Sequence, residues 1–289
     1  MNKRGIILET KIKKIAPSKV IFYLIIFMFL LIQIYPLIWF FISSFRPNIE
    51  LTSQPFSLPR LSSLNLSNYE RIFKHSNILL YLENTIIVTA TSSIFIILLS
   101  STAAFAIEKL KFKYSSKVLM FFLIGLMVPV QAVLIPLFLF YRNLNILNSY
   151  WSLILPQVGF ALPLSILLFV NFYKYIPDEI IEAAVIDGCS TYKVFYKIII
   201  PLSKNVIVTV VTINSIFIWN DFIFCNTFVS GSAYTTIARG LQDFVGHFGL
   251  TDWGATFGAI FFDILPPLII YFVLGKRMIT GLTSGAVKQ

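Results

Sequence analysis

The sequence is poor in the side chains that carry chemistry. Its 289 residues include two cysteines, Cys189 and Cys225, and two histidines, His75 and His247, each pair widely separated along the chain. Two thiols make no disulfide framework, and these spacings are not those of a metal site. Both cysteines read as packing residues. No G-x-x-x-x-G-K-[ST] phosphate loop is present. The nearest Gly-Lys pair, Gly275-Lys276, runs into Arg277 and lacks the upstream glycine. Nor does any nucleophile stand beside a base. The chain is therefore expected not to be an enzyme and to bind no cofactor or metal of its own. Charge is scarce as well: 12% of residues are charged, about half the ~25% usual for a soluble domain.

Apolar residues fill the space that charge leaves. They make up 57% of the chain and fall in long blocks. A helix needs ~20 mostly apolar residues to cross a bilayer. Six stretches qualify: residues 20–44, 84–107, 118–141, 151–173, 205–229 and 253–275. Tyr150, Trp151, Tyr173, Tyr175 and Trp253 flank them, where amphipathic rings sit at headgroup level. Pro36, Pro129, Pro136, Pro156, Pro163, Pro266 and Pro267 lie inside them, which membrane helices tolerate. The first block has no small-residue cleavage site after it and reads as a retained helix. The expected fold is an all-α membrane protein with about six transmembrane helices. Segment 1–19 precedes the membrane domain 20–275, and a tail, 276–289, follows it.

The net charge of +10 has a topological explanation. With the N-terminus inside and six alternating spans, the inner side receives six basic residues before the first span. Lys109, Lys111, Lys113 and Lys117 follow, then Lys174, Lys193, Lys197 and Lys204, and finally Lys276, Arg277 and Lys288. Only Arg46, Arg60, Arg71, Lys74, Arg142 and Arg239 fall outside. That asymmetry obeys the positive-inside rule with both termini cytoplasmic, and it leaves no basic surplus that calls for nucleic acid. On the outer side, residues 68–75 read as a short amphipathic helix.

The inner loop 174–204 is the most informative segment. Pro177, Asp178 and Glu179 suit a helix start, where fixed φ and negative charge match the positive dipole end. Gly188 suits the left-handed residue that closes that helix, and Ser190 the cap of a second. Ala183 and Ala184, beside Glu182 and Asp187, give a small-faced acidic helix that fits a cleft in another protein. An ordinary solvated loop helix is the plain alternative.

Glu182-Ala183-Ala184-x-x-x-Gly188, followed by Ile198, Ile200 and Pro201, resembles the "EAA" loop of ABC importer permeases, with Ile200 where that family usually has leucine. Trp219-Asn220-Asp221-Phe222 resembles the W-N-[DE]-[FY] signature of sugar permeases. The ending Gly281-Leu282-Thr283-Ser284-Gly285-Ala286-Val287-Lys288 resembles the tail of the smaller permease subunit of maltose-type importers, and Met127, Pro129, Gln131, Ile135 and Pro136 also look like that group. The resemblance implies the type I ABC importer permease fold in a bacterial cytoplasmic membrane. It implies docking of Glu182, Ala183, Ala184, Asp187, Gly188, Ile200 and Pro201 on a separate ATPase dimer, with the tail Gly281, Leu282, Thr283, Gly285, Ala286, Val287 and Lys288 reaching the same subunits. ATP and magnesium would be bound there and not by this chain. A second, paralogous permease and an extracytoplasmic solute-binding protein would complete the complex, and a sugar would be its cargo.

Polar side chains inside apolar spans face the bundle or water, because lipid solvates them poorly. Asn84, Gln131, Asn214, Asn220, Asp221 and Asp263 are thus the candidates for a translocation path or gate. Asp263, ~15 Å along its helix from Trp253 at the α-helical rise, is read either as path-facing or paired with a cation of the partner permease, or as hydrogen-bonded to a neighbouring helix. Asp221 suits a cap or a gate. An ABC permease for another solute shares the loop but not the tail; an ion-coupled secondary transporter would lack the loop.

Overall fold

In the computed structural model, residues 17–57, 64, 66–244 and 251–283 are described. Among them every regular element is helical. Helix α1, Pro17–Ser43, is followed by the short α2, Asn48–Ser53, and by α3, Ser67–His75. The long α4, Ile78–Glu108, then turns into α5, Ser115–Ile124, and α6, Val130–Asn143. Helix α7, Tyr150–Tyr173, leads to α8, Asp178–Ile186, and α9, Thr191–Val194. After a widened π-type turn at Phe195–Ile199 come α10, Ile200–Leu202, and α11, Lys204–Trp219. Two short helices, α12, Ile223–Phe228, and α13, Ile237–Gly240, precede α14, Trp253–Thr283.

Four of these helices are long and apolar enough to cross a bilayer unbroken: α1, α4, α7 and α14. Two bent helix pairs supply two further candidate crossings, in keeping with the expectation of about six transmembrane helices. The block 118–141 is broken between its halves, with 98° between Ser115–Met127 and Val130–Asn143. The cause is local. Pro129 pushes Val128 out of the helical region, to φ −79° and ψ 113°, and removes an amide donor. The block 205–229 also does not run through. Asn220, at φ −84° and ψ 7°, ends α11, and Asp221 Oδ1 and Oδ2 accept from the Phe224 and Cys225 amides to open α12. At its other end α11 joins Thr191–Leu202 through a 74° bend at Ser203. Helix α4 begins at Ile78, and α14 runs past Gly275 as far as Thr283.

The core is the contact of α4 with α7, the most extensive in the molecule, extended by α11. Small hydroxyl residues form its seam. Ser92, Ser93, Ser100 and Ser101 of α4, Ser152 and Ser165 of α7 and Thr212 of α11 are all buried. Such residues let helix axes approach closely in an apolar solvent. Some of the hydroxyls are occupied locally, Ser100 Oγ donating to Ile96 O at 2.5 Å and Thr212 Oγ1 to Val208 O at 2.7 Å, while Ser93 Oγ reaches Ser215 Oγ of α11 at 3.3 Å.

Helix α1 stands apart. It touches α14 and is otherwise exposed along nearly its whole length. The other face of α14 receives α3. A Cβ on Gly254 would stand 2.6 Å from the Asn68 amide, and one on Gly258 2.6 Å from Ile72 Cδ1. The Gly-x-x-x-Gly spacing is what seats α3 there. Asp252 caps α14 by accepting from Ala255 N at 3.2 Å and holds Arg71 of α3 through two bonds of 2.8 and 3.2 Å.

Lys3, Arg4, Lys11, Lys13, Lys14, Arg60, His247, Gly285, Ala286, Val287 and Lys288 lie outside the described residues.

Candidate functional site: the loop between α7 and α11

Helix α8 forms where the sequence places it. Pro177, at φ −59° and ψ 137°, precedes Asp178 and Glu179 in the first turn, and the helix ends before Gly188, whose φ is +79°. That left-handed value is the reason for a glycine there. Ser190 Oγ accepts from the Lys193 amide and caps α9.

Burial divides the loop into two faces. Ala184, Val194, Phe195 and Ile199 are buried against the core, and the Phe195 ring lies 5.2 Å from that of Phe105 near the end of α4. Glu182, Ala183, Asp187 and Gly188 point outward. So do large apolar side chains: Ile186 is 86% exposed, Tyr192 79% and Val185 55%. Ile200 is half-buried and Pro201 exposed. An acidic patch around exposed isoleucine and tyrosine is a surface suited to another protein. Sequence reasoning identified the loop but not Ile186 or Tyr192, since periodicity over nine residues does not settle which face turns inward.

Three charged residues pin the loop to α4. Lys109 Nζ, just past the end of α4, donates to Asp178 Oδ1 and to Ile176 O, both at 2.6 Å. Lys111 Nζ donates to Asp178 Oδ2 at 2.6 Å. Hydrogen bonds from Lys109 and then Lys111 hold the Asp178 carboxyl down at about 2, and the same Asp178 contact raises the Lys111 ammonium. Sequence alone did not pair these residues, which are 69 and 67 positions apart.

The polar candidates within the helices are mostly engaged in packing. Asn84 Nδ2 donates to Ala233 O and Thr235 O, and its Oδ1 accepts from Tyr150 Oη at 2.8 Å. Asn214 Nδ2 donates to Ser165 Oγ of α7 and to Val210 O. Asn220 Nδ2 donates to Ile216 O, one turn back in its own helix, and Asp221 caps α12. Asp263 accepts the Trp219 indole N–H of α11 at its carbonyl, 3.0 Å, and at Oδ1, 3.1 Å. The helix-to-helix hydrogen bond read for Asp263 is present. Gln131 is exposed beside the Pro129 break.

None of these six lines a groove that opens in the helix bundle. That groove, about 520 Å³, lies between α4, α11 and α14. Leu82, Ile86, Thr89, Ser215, Trp219 and Phe262 are among its walls. Asp263 touches it indirectly, by fixing the indole of Trp219. The sequence missed the groove because its aromatic and aliphatic residues look like lipid-facing ones.

Helices of this length and polarity, seamed by hydroxyl residues and joined by a loop with an outward apolar-acidic face, define a multi-span α-helical membrane protein. Residues 96–277 match the family described as binding-protein-dependent transport system inner membrane component, and the chain belongs to that family, the membrane permeases of ABC importers. It is 32% identical over 256 residues to the sulfoquinovosyl glycerol transport system permease protein SmoH of Agrobacterium fabrum, covering 88% of this chain and 89% of that protein. Over 261 residues it is 30% identical to the trehalose/maltose transport system permease protein MalG of Thermococcus litoralis, covering 89% and 92%. A crystal structure of a bacterial ABC transporter involved in importing the acidic polysaccharide alginate shares the fold, with a TM-score of 0.78 at 22% identity over 91% of this chain and 98% of that one.

Proposed function

We propose that this chain is one permease subunit of an importer that moves a sugar or oligosaccharide into the cell, driven by ATP hydrolysed on separate subunits. The observation that carries the reading is the outward face of loop 174–204, where Glu182, Ala183, Ile186, Asp187 and Tyr192 are all exposed. That face docks on an ATPase dimer, which binds ATP and magnesium; this chain holds neither. The tail from Gly281, Leu282 and Thr283 through Gly285, Ala286, Val287 and Lys288 reaches the same subunits. Both termini are cytoplasmic, in line with the distribution of Lys and Arg. A second permease completes the membrane unit, and a solute-binding protein delivers cargo from the other side.

A sugar is favoured by the Trp219-Asn220-Asp221-Phe222 signature, by the tail sequence and by the cargo names of the SmoH and MalG relatives. The groove of Leu82, Thr89, Ser215, Trp219 and Phe262 is this subunit's wall of the path. Aromatic faces there offer a sugar weak stacking with few hydrogen bonds, which suits passage better than storage. ATP moves the docked loop, and the helices alternate between two arrangements biased by nucleotide.

The test is purification from the native membrane, followed by ATPase assay with a panel of sugar-loaded binding proteins. Recovery of a second permease and an ATPase pair, both lost on Glu182→Lys or Gly188→Pro, supports the reading and identifies the sugar. Gradient-driven uptake by this chain alone, without ATP, overturns it.

A further inference from the structure

We propose that Lys109, Lys111 and Asp178 are positioning residues, a charge clamp that fastens the start of α8 to the end of α4 so that displacement of loop 174–204 is delivered to α4. The inference rests on the reading of that loop as an ATPase-docking element, and it identifies which membrane helix the loop drives.

The geometry is unusually complete for an ion pair between separate elements. Both oxygens of one carboxylate are used, each by a different lysine at 2.6 Å. Lys109 is 3% exposed on its side chain, and its ammonium also bonds the carbonyl of Ile176. Ile176 is itself buried, and Pro177, which follows it, has no amide hydrogen to compete. Lys109 therefore grips the chain on both sides of Pro177, at the point where α7 hands over to α8. Lys111 reaches the second oxygen from a left-handed backbone, φ 43°. A residue with a Cβ is strained in that conformation, so the surrounding contacts must hold it there. Glu108 and Glu182 add favourable charge around Lys111.

A single tether would let α8 pivot. The loop has two, on one helix. Its entry is held to α4 by Lys109 and Lys111, and its exit by the Phe105–Phe195 ring contact. Phe105 and Lys109 are four residues apart, one helical turn, so both ends of the loop close on the same turn of α4. A push on the outward face is thereby transmitted to α4 before it reaches α11, which is set off by the 74° bend at Ser203. Because α4 walls the groove through Leu82, Ile86 and Thr89, its movement reshapes the groove directly. Mutual support of this kind is what makes an element switch as a unit.

The test uses the complex purified with its ATPase subunits and held in lipid nanodiscs. A bimane label is placed on α4 at Leu98→Cys, an exposed position, with Cys189→Ser as background, and the response to MgATP plus vanadate is recorded. In the wild-type clamp the label responds. In Asp178→Asn and in Lys109→Met the response falls about five-fold or more, in the range of ordinary allosteric coupling. Meanwhile the ATPase still co-purifies. Asp178→Glu, which keeps a carboxylate, restores most of the response, and the double variant Lys109→Met/Asp178→Asn loses no more than either single one. An unchanged response in Asp178→Asn overturns the proposal. So does loss of the ATPase from that variant, since the clamp joins α8 to α4 and not to the partner. If no ATPase accompanies the parent protein, the docking reading itself falls; that control is separate from the variants.

Discussion

The corner where α3 meets α14 and the loop between α7 and α11 use similar residues, yet one is closed on itself and the other is left open. In the corner Asn68 is fully buried, and its Nδ2 donates to Ser44 O at 2.7 Å and Arg46 O at 2.9 Å while its Oδ1 accepts from Arg71. Arg71 is held by Asp252, and Gly254 and Gly258 admit α3 to van der Waals distance. Polar groups there find partners within the chain. In the loop the buried side is equally complete, but Ile186, Val185 and Tyr192 are turned to solvent. In the proposed docking role, this open face is the one left for another protein.

Changes that invade the corner test the comparison most severely. Gly254→Leu drives a side chain into Asn68 and is expected to lower stability by about 3 kcal/mol, the upper part of the overpacking range. Thermal unfolding in detergent measures it, and an unchanged midpoint would mean that α3 is not seated on α14. Asn68→Ala comes next, at about 2 kcal/mol, because the Ser44 and Arg46 carbonyls are left buried without their donor. The loop should behave in the opposite way. Ile186→Asp is expected to weaken recovery of the ATPase about ten-fold or more, as for a central interface residue. Its own unfolding should stay within about 0.5 kcal/mol of the parent. A fall in stability instead would make Ile186 a packing residue and erase the contrast.

Smaller effects sharpen it. Arg71→Lys keeps the charge on Asp252 but loses the two-pronged geometry, at about 1 kcal/mol or less for a half-exposed pair. The smallest effect is that of pH on the clamp. Asp178 titrates at about 2 when folded, below its ordinary value of 3.8. Its contribution is complete above the ordinary value and is lost only as pH falls through about 2. Nucleotide response of the α4 label is therefore expected to be flat from pH 6 to pH 8. A midpoint inside that window would assign the coupling to another group.

The loop was legible in the sequence to the residue. Pro177, Gly188 and Ser190 each act through local backbone geometry, which needs no tertiary context. Helix breaks were legible only in part. Pro36 and Pro156 sit inside continuous helices while Pro129 severs one, and the residue type is the same. The path candidates fared differently. Gln131 and Asn220 are exposed, whereas Asn84, Asn214 and Asp263 turn inward and bond to neighbouring helices.

By itself the sequence determined that the chain enters lipid, where its apolar blocks lie and where helix α8 starts and stops. All of these follow from composition or from contacts within a few residues. Only the tertiary structure decided that two of the crossings are bent, that Trp219 and Phe262 face a groove, that Ile186 faces outward and that Lys109, Lys111 and Asp178 meet. Those are relations between segments far apart in the chain. They depend on which faces pack together, and no local pattern encodes that.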